Sequence, residues 1–456
     1  MLYNQDPIIA LATPAGMGAI AVVRLSGQYV IQIVNQVFHG KNLTTQASHT
    51  VHVGLIQKDQ VVIDEVTVAL FIAPHSFTKE DSVEISCHGS PFIVDQLLQL
   101  FVEQGVRIAD PGEFTKRAFL NGRFDLTQAE AVADLIAADG ARAHQTALNQ
   151  MRGGFTLQLK ELRRKLVHFS ALVGVELDFS EEDIAFVDRN QLKALAQELT
   201  AHVTALLDSF RYGNVLKKGV SVVIVGQPNV GKSTLLNQLL QEERAIVSAI
   251  AGTTRDVIEG RLYIGGFLFR FVDTAGLRDT VADAIEAIGM ERARQQLHKA
   301  DVLLYVADLS EHAFAQAETA LETLALPDLP LLKIGNKVDI APASLLESFE
   351  KKDYVLLSAQ QKETIVVLKD KLLALIQKDA AVDASTPIVV NARHYAHLLK
   401  SKQELEAVLE AIERGFPNEL LAMEIRNALY PLGEITGEIT NEEVLGQIFA
   451  SFCIGK

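Results

Sequence analysis

The chain has few cysteines, no long apolar run and a shortage of positive charge. Two cysteines, Cys87 and Cys453, are too few for a disulfide framework or a zinc site. A reducing cytoplasm is the compartment that this low count favours. No uncharged apolar run reaches roughly 18 residues, so we expect no membrane span. The N-terminus lacks a basic segment before an apolar core, so we expect no signal peptide.

The charge balance limits the kinds of surface that the protein can present. The sequence contains 42 Lys and Arg residues against 57 Asp and Glu residues, a net charge of −15. This balance argues against a broad nucleic-acid-binding surface, because contacts to phosphates need Lys and Arg. An RNA substrate would need a local basic patch or a partner that supplies the charge. The 456 residues, 48% of them apolar, predict a globular protein of two or three domains.

Residues 226–234 read GQPNVGKST and fit the phosphate-binding pattern G-x-x-x-x-G-K-[ST]. The apolar run VSVVIV at 220–225 predicts a buried strand before this loop, and the leucines at 235–240 predict a helix after it. Strand, loop and helix together favour a P-loop over a chance glycine turn. Lys232 is expected to reach the β- and γ-phosphates of a nucleotide, and Ser233 is expected to bind Mg²⁺. The expected contacts are Gly226, Asn229, Val230, Gly231, Lys232, Ser233 and Thr234.

Four further motifs follow in the order that a guanine-nucleotide domain requires. The first switch motif is Gly252-Thr-Thr-Arg-Asp256, in which Thr254 is the better candidate for a hydroxyl that binds Mg²⁺ and the γ-phosphate. The second switch motif is Asp273-Thr-Ala-Gly276, in which Asp273 would hold the Mg²⁺ shell and the N–H of Gly276 would sense the γ-phosphate. The guanine motif is Asn336-Lys-Val-Asp339, in which the Asp339 carboxylate can accept two N–H donors from a guanine edge. In the fourth motif, Ser358-Ala359, a backbone N–H could reach the guanine O6. The expected contacts are Thr253, Thr254, Asp273, Thr274, Ala275, Gly276, Asn336, Lys337, Asp339, Ser358 and Ala359. This series resembles the small GTPase fold.

The catalytic glutamine that Ras-like domains carry after the second switch motif is replaced by Leu277. Other groups must therefore orient water and compensate charge. Asn229 can bind a monovalent cation near the β/γ-bridge, and carbonyl groups of the 248–253 loop can complete its shell. Glu286 can orient the water, although an ordinary acid at a helix start would also explain this residue. The expected K⁺ ligands are Asn229, Ser248, Ile250 and Thr253.

The pattern of the chain predicts several domains. Residues 1–120 read as an α+β domain, with strands expected at 8–11, 19–25, 61–72 and 83–87. Residues 121–212 and 380–456 have helical spacing and predict two parts of a helical bundle. The α/β P-loop GTPase domain, at 213–379, would be inserted between these parts. A nucleotide-dependent conformational change in that position could move the rest of the molecule.

Cys453 lies fourth from the end of the chain. This position superficially matches a C-a-a-X prenylation box. A terminal Lys and the absence of a preceding polybasic stretch argue against prenylation. The remaining interpretations are a functional thiol or an ordered tail at an active site, or a small apolar residue packed on a helix.

Further motifs lie along essentially the whole chain, outside the GTPase motifs. They are Ala12-Thr-Pro-Ala-Gly-Met-Gly18, Arg24-Leu-Ser-Gly27, Ser76-Phe-Thr-Lys-Glu-Asp81, Cys87-His-Gly89, Pro111-Gly-Glu-Phe-Thr-Lys-Arg-Ala-Phe-Leu-Asn-Gly-Arg123, Asp125-Leu-Thr-Gln-Ala-Glu-Ala131, Glu434-Ile-Thr-Gly437 and Phe452-Cys-Ile-Gly-Lys456. Together with the GTPase motifs, these segments resemble the MnmE (TrmE) family of tRNA wobble-uridine modification GTPases.

The resemblance implies a tetrahydrofolate-binding N-terminal domain that also forms a homodimer. It implies 5-formyl- or methylene-tetrahydrofolate as the ligand, with contacts at Arg24, Glu84, Arg123 and Lys456. Glu84 can pair with pterin N–H donors, and the basic residues can bind carbonyl or carboxylate groups. Surface ion pairs would explain Arg24 and Arg123 equally well, and a strand-end charge would explain Glu84.

The resemblance also implies an FAD- and NADH-dependent partner of the MnmG (GidA) family, in a heterotetramer or larger complex. Together they would install aminomethyl or carboxymethylaminomethyl groups at carbon 5 of the wobble uridine of certain tRNAs. The GTPase would be potassium-activated, with Glu286 orienting water and Asp283 as a lesser candidate. The expected catalytic residues are Asn229, Lys232, Glu286 and Cys453.

Two alternatives compete with this function. A GTPase of ribosome assembly would carry an appended basic RNA-binding module, which this acidic chain does not show. A nucleotide-switched scaffold would keep the phosphate and Mg²⁺ constellation but would turn over negligible GTP even at high KCl.

Overall fold

The computed structural model describes residues 6–178, 189–241, 259–273, 300–310, 314–322, 329–378 and 388–455. The chain divides into two compact units. The first unit contains Met1–Ala137, Ala147–Thr200 and Lys400–Lys456, and the second contains Ala138–Thr146 and Ala201–Leu399. The domain boundaries expected from the sequence stay a prediction.

The first unit contains a seven-stranded mixed sheet. Its strands are β1 Ile8–Leu11, β2 Ile20–Ser26, β3 Phe38–His39, β4 Thr50–Lys58, β5 Val61–Phe71, β6 Ser82–His88 and β7 Arg107–Ile108. They lie in the order β3-β4-β5-β6-β2-β1-β7. All described pairs are antiparallel except β1 with β7. The helices α1 Val30–Val37 and α2 Pro91–Glu103 pack on the sheet, and α3 Glu113–Leu120 follows β7.

Alternation of side chains decides which face of this sheet is buried. In β5, Val66, Val68 and Leu70 are buried at every second position and pack in the core with apolar residues of α1 and α2. This period of two is the spacing that a pleated strand requires to bury one face. The core therefore lies between the sheet and these helices.

Four helices follow the sheet in the chain: α4 Leu126–Ile136, α5 Ala141–Met151, α6 Gly154–Asp178 and α7 Arg189–Lys218. A capping box begins α4, because the Asp125 carboxylate accepts from the Gln128 N–H at 3.0 Å and the Gln128 side chain accepts from the Asp125 N–H at 3.1 Å. Five residues of α6 with the expected helical spacing are buried, which confirms their prediction: Leu159, Leu162, Leu166, Phe169 and Val173.

The second unit contains a six-stranded sheet in the order β13-β12-β11-β8-β10-β9. Its strands are β8 Val220–Val225, β9 Glu259–Ile264, β10 Phe267–Asp273, β11 Val302–Asp308, β12 Leu331–Asn336 and β13 Val355–Leu356. Only β9 runs antiparallel to its neighbour among the described pairs. The described helices are α8 Lys232–Gln241, α9 Phe314–Glu322, α10 Ala343–Glu350 and α11 Lys362–Lys378. This order confirms the predicted P-loop GTPase fold.

The chain ends with three helices, α12 Ala392–Glu413, α13 Asn418–Thr436 and α14 Glu442–Ala450. Within the first unit, α13 packs against α6. An ion pair at 2.6 Å between Arg163 and Glu438 lies where α6 meets the end of α13. In the part of the chain that the structure describes, no helix is long and apolar enough to cross a membrane.

Candidate functional sites

The turn between β8 and α8 forms a cradle of backbone groups. Asn229 and Gly231 have positive φ angles of 62° and 95°, which turn the backbone sharply before α8 begins at Lys232. The buried Lys232 ammonium donates to the carbonyls of Gly226 at 3.0 Å and Gln227 at 2.8 Å. The Lys232 ammonium therefore lies against the loop, beside the N-terminus of α8, and a helix N-terminus favours anions.

Two glycines of this loop are required by close neighbours. A Cβ at Gly226 would lie 2.2 Å from the Val306 carbonyl oxygen, and a Cβ at Gly231 would lie 2.3 Å from Nδ2 of Asn336. Neither distance is possible for non-bonded atoms. Glycine at these positions lets the loop approach β11 and β12 closely. The pattern that identified the P-loop is therefore also a packing requirement of the sheet edge.

Asn336 joins the P-loop to the loops that follow β12 and β13. Its Nδ2 donates to the Val230 carbonyl at 2.7 Å, and its Oδ1 accepts from the Ala359 N–H at 2.9 Å. The side chain is 2% exposed. The Ala359 N–H, one of the two backbone groups expected to reach the guanine carbonyl, thus donates to Asn336 in this structure.

Lys337 and Asp339, the two charged residues of the guanine motif, differ in environment. Lys337 has a φ of 66° and its ammonium lies 2.5 Å from the buried Asp308 carboxylate. Burial alone would raise the pKa of Asp308, but hydrogen bonds from Lys337 and Ser310 outweigh it and hold this pKa below its usual value. The Asp339 side chain is exposed, as a group that binds a base edge must be. Ser358 is buried beside the Ala359 turn.

The first and second switch motifs lie largely outside the described residues. β10 ends at Asp273, whose backbone is in register with Ile224 of β8, so this residue lies at the same sheet edge as the P-loop. The predicted site residues that lie outside the described residues are Ser248, Ile250, Thr253, Thr254, Thr274, Ala275, Gly276, Asp283, Glu286 and Lys456, and Leu277 lies outside them too.

A second cluster of predicted site residues lies on the sheet of the first unit. Arg24 and Glu84 are directly opposite each other on β2 and β6. The guanidinium donates to the Glu84 carboxylate through Nε at 2.9 Å, and Nη2 lies 2.7 Å from the same oxygen. Both side chains are partly exposed, at 20% and 29%. The structure thus shows an ion pair here, and both partners remain accessible to a ligand.

Phe77 connects this ion pair to Arg123. The guanidinium carbon of Arg24 lies 5.4 Å from the Phe77 ring centre, and that of Arg123 lies 5.2 Å from the same ring. Arg123 also donates to the Ser76 carbonyl, and burial lowers the pKa of its guanidinium. Two predicted folate residues, Arg24 and Arg123, therefore lie against one aromatic ring, and the third, Glu84, pairs with Arg24. Sequence reasoning missed Phe77, although it lies inside the motif at 76–81.

The C-terminal tail packs against the same unit. The Gly112 N–H donates to the Cys453 carbonyl at 3.3 Å. Gly455 has a φ of 92°, and a Cβ there would lie 2.2 Å from the Leu11 carbonyl oxygen. Leu11 ends the strand that pairs with β2, which carries Arg24. The tail therefore approaches the Arg24 strand, and the Cys453 thiol is exposed and free rather than packed on a helix.

Arg117, a buried residue of α3 whose role the sequence did not indicate, connects this helix to other segments through ion pairs. The Arg117 side chain is 2% exposed and forms ion pairs with Asp6 at 3.0 Å, Glu80 at 3.3 Å and Glu113 at 2.9 Å. A buried cation needs such partners because desolvation of an unpaired charge is costly. Arg117 lies in the motif at 111–123, so the motif included this residue but did not indicate its role.

Two family matches cover most of the chain. The MnmE helical domain matches residues 126–453, and the GTP-binding protein TrmE N-terminus matches residues 7–123. The tRNA modification GTPase MnmE of Cytophaga hutchinsonii is 50% identical over 454 residues, which cover 99% of this chain and 98% of that protein. Proteins of the same name from Flavobacterium johnsoniae and Flavobacterium psychrophilum are 48% and 47% identical, each over 100% of both chains. The chain belongs to the MnmE family.

Membership of the MnmE family confirms the resemblance that the motifs indicated. Together with the P-loop, the sheet order and the buried Lys232, it identifies the chain as a GTP hydrolase of this family. Among solved structures, Era of Aquifex aeolicus bound to GDP.AlF4− aligns with 40% of this chain and 66% of its own chain, at 29% identity and a TM-score of 0.26.

Proposed function

We propose that this MnmE family chain is a potassium-activated GTPase that modifies carbon 5 of the wobble uridine of certain tRNAs. It would act with an FAD- and NADH-dependent partner of the MnmG (GidA) family and would use a tetrahydrofolate one-carbon unit. The observation that carries this proposal is identity of 47–50% over essentially the whole chain to relatives named tRNA modification GTPase. The products would be aminomethyl or carboxymethylaminomethyl groups.

The proposed GTP site is the cradle of backbone groups between β8 and α8. GTP would bind with its phosphates against the backbone of this loop and with Lys232 beside them. Ser233, Thr254 and Asp273 would hold Mg²⁺, which neutralises charge on the phosphates when bound. Asp339 would read the guanine edge. These residue types fit the group, since hydroxyl and carboxylate oxygens are the ligands that Mg²⁺ prefers.

The proposed K⁺ site rests on Asn229 and on Leu277. Asn229 is exposed and lies at the left-handed bend of the P-loop, so its amide oxygen is available to a cation. Carbonyls of Ser248, Ile250 and Thr253 would complete the shell, and the bound K⁺ would supply the positive charge that an arginine supplies in other GTPases. Glu286, or failing it Asp283, would orient the attacking water, because Leu277 cannot.

The proposed folate end rests on the residues around Phe77. The Glu84 carboxylate would accept the pterin N–H donors, with Arg24 holding the carboxylate in place across the two strands. Arg123 and Lys456 would bind carbonyl or carboxylate groups of 5-formyl- or methylene-tetrahydrofolate. Cys453 would lie near this site, since the tail that carries it packs at the end of β1.

A homodimer formed through the first unit is part of the proposal. β4 and β5 expose four valines, Val51, Val53, Val61 and Val62, at 65%, 64%, 67% and 49%. Val51 and Val53 lie two residues apart on β4, and such an exposed apolar pair favours burial against another surface. A cytoplasmic location fits two free cysteines and a tRNA substrate.

The test is mass spectrometry of nucleosides from total tRNA of cells that lack this chain. We expect loss of wobble uridines carrying aminomethyl-type groups at carbon 5. The intact gene should restore them, and the Asp273→Asn variant should not, because Mg²⁺ binding requires the carboxylate. A normal nucleoside profile in the deleted strain, with no second gene of the family, would exclude tRNA modification and leave only the GTPase assignment.

A further inference from the structure

A cationic cavity lies in the second unit, at the opposite end of β8 from the P-loop. Its volume is about 140 Å³, several times the roughly 30 Å³ that a water molecule occupies in the liquid. Four basic side chains line it, Lys217, Lys218, Arg261 and Arg270, together with one carboxylate, Asp139. The cavity is therefore large enough for a polyatomic anion and positive in net charge.

The two arginines are placed where a sheet does not favour them. Arg261 and Arg270 are directly opposite each other in the antiparallel pair of β9 and β10. Like charges in this arrangement repel and destabilise the pair of strands. Asp139 lies 3.8 Å from Arg261, so it offsets only part of this charge. An anion between the two guanidinium groups would remove the repulsion.

The environment of Arg270 also indicates that a hydrogen-bond acceptor is missing from the cavity. Its Nε is buried, and it has no hydrogen-bond partner in the described part of the chain. Buried donors without partners are uncommon in native proteins, because desolvation of such a group is not compensated. The planar guanidinium of an arginine such as Arg270 donates charge-assisted hydrogen bonds to phosphate oxygens.

The backbone around Gly219 brings the lysines beside the arginines. Gly219 has a φ of 77°, and a Cβ there would lie 2.7 Å from the Leu268 carbonyl oxygen. The end of α7 is therefore held against β10, which carries Arg270. Lysines at a helix C-terminus are favoured by the helix dipole alone, so Lys217 and Lys218 do not by themselves indicate a ligand. The facing arginines are not explained in that way.

We propose that this cavity binds a backbone phosphate of the tRNA substrate. The proposal rests on the proposed function, which supplies the RNA. The cavity is separated from the P-loop by β8, whose six residues span roughly 20 Å, so the phosphates of GTP do not reach it. A chain with a net charge of −15 needs a local basic patch to bind RNA, and this cavity supplies one. Free phosphate shares the same chemistry and is the other source to be distinguished.

The experiment measures binding of fluorescein-labelled bulk tRNA to the full-length protein by anisotropy at several KCl concentrations. The variants are Arg261→Gln, Arg270→Gln and the double variant. The matched control is Lys351→Gln in the same unit, because Lys351 is 78% exposed and its partner Glu347 is 4.0 Å away. GTP affinity on the same samples reports whether the second unit is folded. If Arg270→Gln fails this check, Arg261→Gln and Lys218→Gln provide the test, since Arg261 is 61% exposed.

We expect the double variant to bind tRNA about tenfold more weakly. The slope of log K against log salt concentration should fall by about 0.7–0.9 for each RNA phosphate that the variant no longer binds, whereas Lys351→Gln should match the wild type. Wild-type affinity and slope in the folded double variant would overturn the proposal.

Titration with inorganic phosphate separates the two sources of the anion. Phosphate binding that the variants lack, with unchanged tRNA affinity, would assign the cavity to a free anion and overturn the RNA assignment. Failure of the wild-type protein to bind tRNA would do the same, while the nucleoside profile of the deleted strain tests the proposed function independently.

Discussion

The side-chain amide of Asn336 donates to the Val230 carbonyl at 2.7 Å, and it lies where a Cβ at Gly231 would be only 2.3 Å away. A residue of the guanine motif therefore holds the phosphate loop. Its other end accepts from the Ala359 N–H at 2.9 Å, so three loops that are distant in sequence meet at one buried side chain. Phosphate binding and base recognition are thus expected to be lost together when this side chain is removed.

The first prediction concerns Asn336→Ala. The substitution leaves the Val230 carbonyl and the Ala359 N–H without their partner, and an unsatisfied buried group costs about 1–3 kcal/mol. We expect GTP affinity to fall by more than about tenfold and the second unit to unfold at lower denaturant concentration. Titration calorimetry and chemical denaturation measure both. Gln360→Ala, at the exposed neighbour of Ala359, is the control. An Asn336→Ala protein with unchanged GTP affinity would contradict the proposed link.

The second prediction concerns base recognition by Asp339. Asp339→Asn should weaken binding of GTP and improve binding of xanthosine triphosphate, because an amide offers one donor and one acceptor where a carboxylate offers two acceptors. Competition of the two nucleotides for the same protein measures the preference. Asp370→Asn, an exposed acid on α11, should leave the preference for guanine intact. An unchanged base preference in Asp339→Asn would remove Asp339 as the guanine reader.

The third prediction concerns the cation in GTP hydrolysis. Turnover should rise at least about tenfold when KCl replaces NaCl at equal ionic strength, since a bound cation would do the work of an arginine finger. Asn229→Ala should lose most of this difference while it still binds GTP. Rates are measured by phosphate release at fixed protein concentration. Equal rates of the wild-type protein in the two salts would contradict the role of Asn229.

Local chemistry explains which parts of the fold could be predicted from the sequence. The strand Ile8–Leu11 and the strand Val220–Val225 match their predicted bounds, because both are short apolar runs that end at turn residues. The strand Thr50–Lys58 was missed. Its outward residues Val51 and Val53 are apolar and its inward residue His52 is polar, so the alternation that identifies a half-buried strand is inverted.

The candidate sites also contain features that could be predicted from the sequence and features that could not. The P-loop was predictable because its glycines and its lysine are required there by backbone geometry and by hydrogen bonds. Recognition of guanine by Asp339 stays a prediction. The roles of Phe77 and Arg117 were not predictable, because they depend on contacts between segments far apart in the chain. Phe77 lies between Arg24 and Arg123, and Arg117 pairs with Asp6, which is 111 residues away in the sequence.

The fourth prediction concerns the folate end. Glu84→Gln should weaken binding of 5-formyl-tetrahydrofolate about tenfold or more, because the amide cannot accept two pterin N–H donors or pair with Arg24. Fluorescence titration of the full-length protein measures the affinity. Glu103→Gln is the control, because Glu103 forms a similar ion pair with Lys58 on the same unit, at 2.5 Å. Unchanged folate affinity in Glu84→Gln would leave the Arg24–Glu84 pair with a purely structural role.

The last prediction concerns the dependence of stability on pH at Glu113, whose side chain is 12% exposed. Burial alone would raise the pKa of Glu113, but hydrogen bonds from Arg107, from the Asp110 N–H and from Arg117 outweigh it and lower this pKa below its ordinary value of 4.5. A carboxylate with a lowered pKa in the folded state stabilises that state above the unfolded pKa. This contribution should be lost as the pH falls from about 4.5 through the lower pKa of the folded state.

Glu113→Gln should remove this dependence and should cost about 2 kcal/mol of stability at neutral pH, because hydrogen bonds to a charged group are lost. Hydrogen exchange of the α3 amides at a series of pH values measures both effects. Glu161→Gln is the contrast. A hydrogen bond from Arg164 lowers the pKa of Glu161 as well. Because solvent screens this exposed pair, Glu161→Gln should change the pH dependence of stability less than Glu113→Gln does. If the wild-type and Glu113→Gln proteins lose protection in parallel as the pH falls, the Arg107–Glu113–Arg117 cluster does not hold α3 in place.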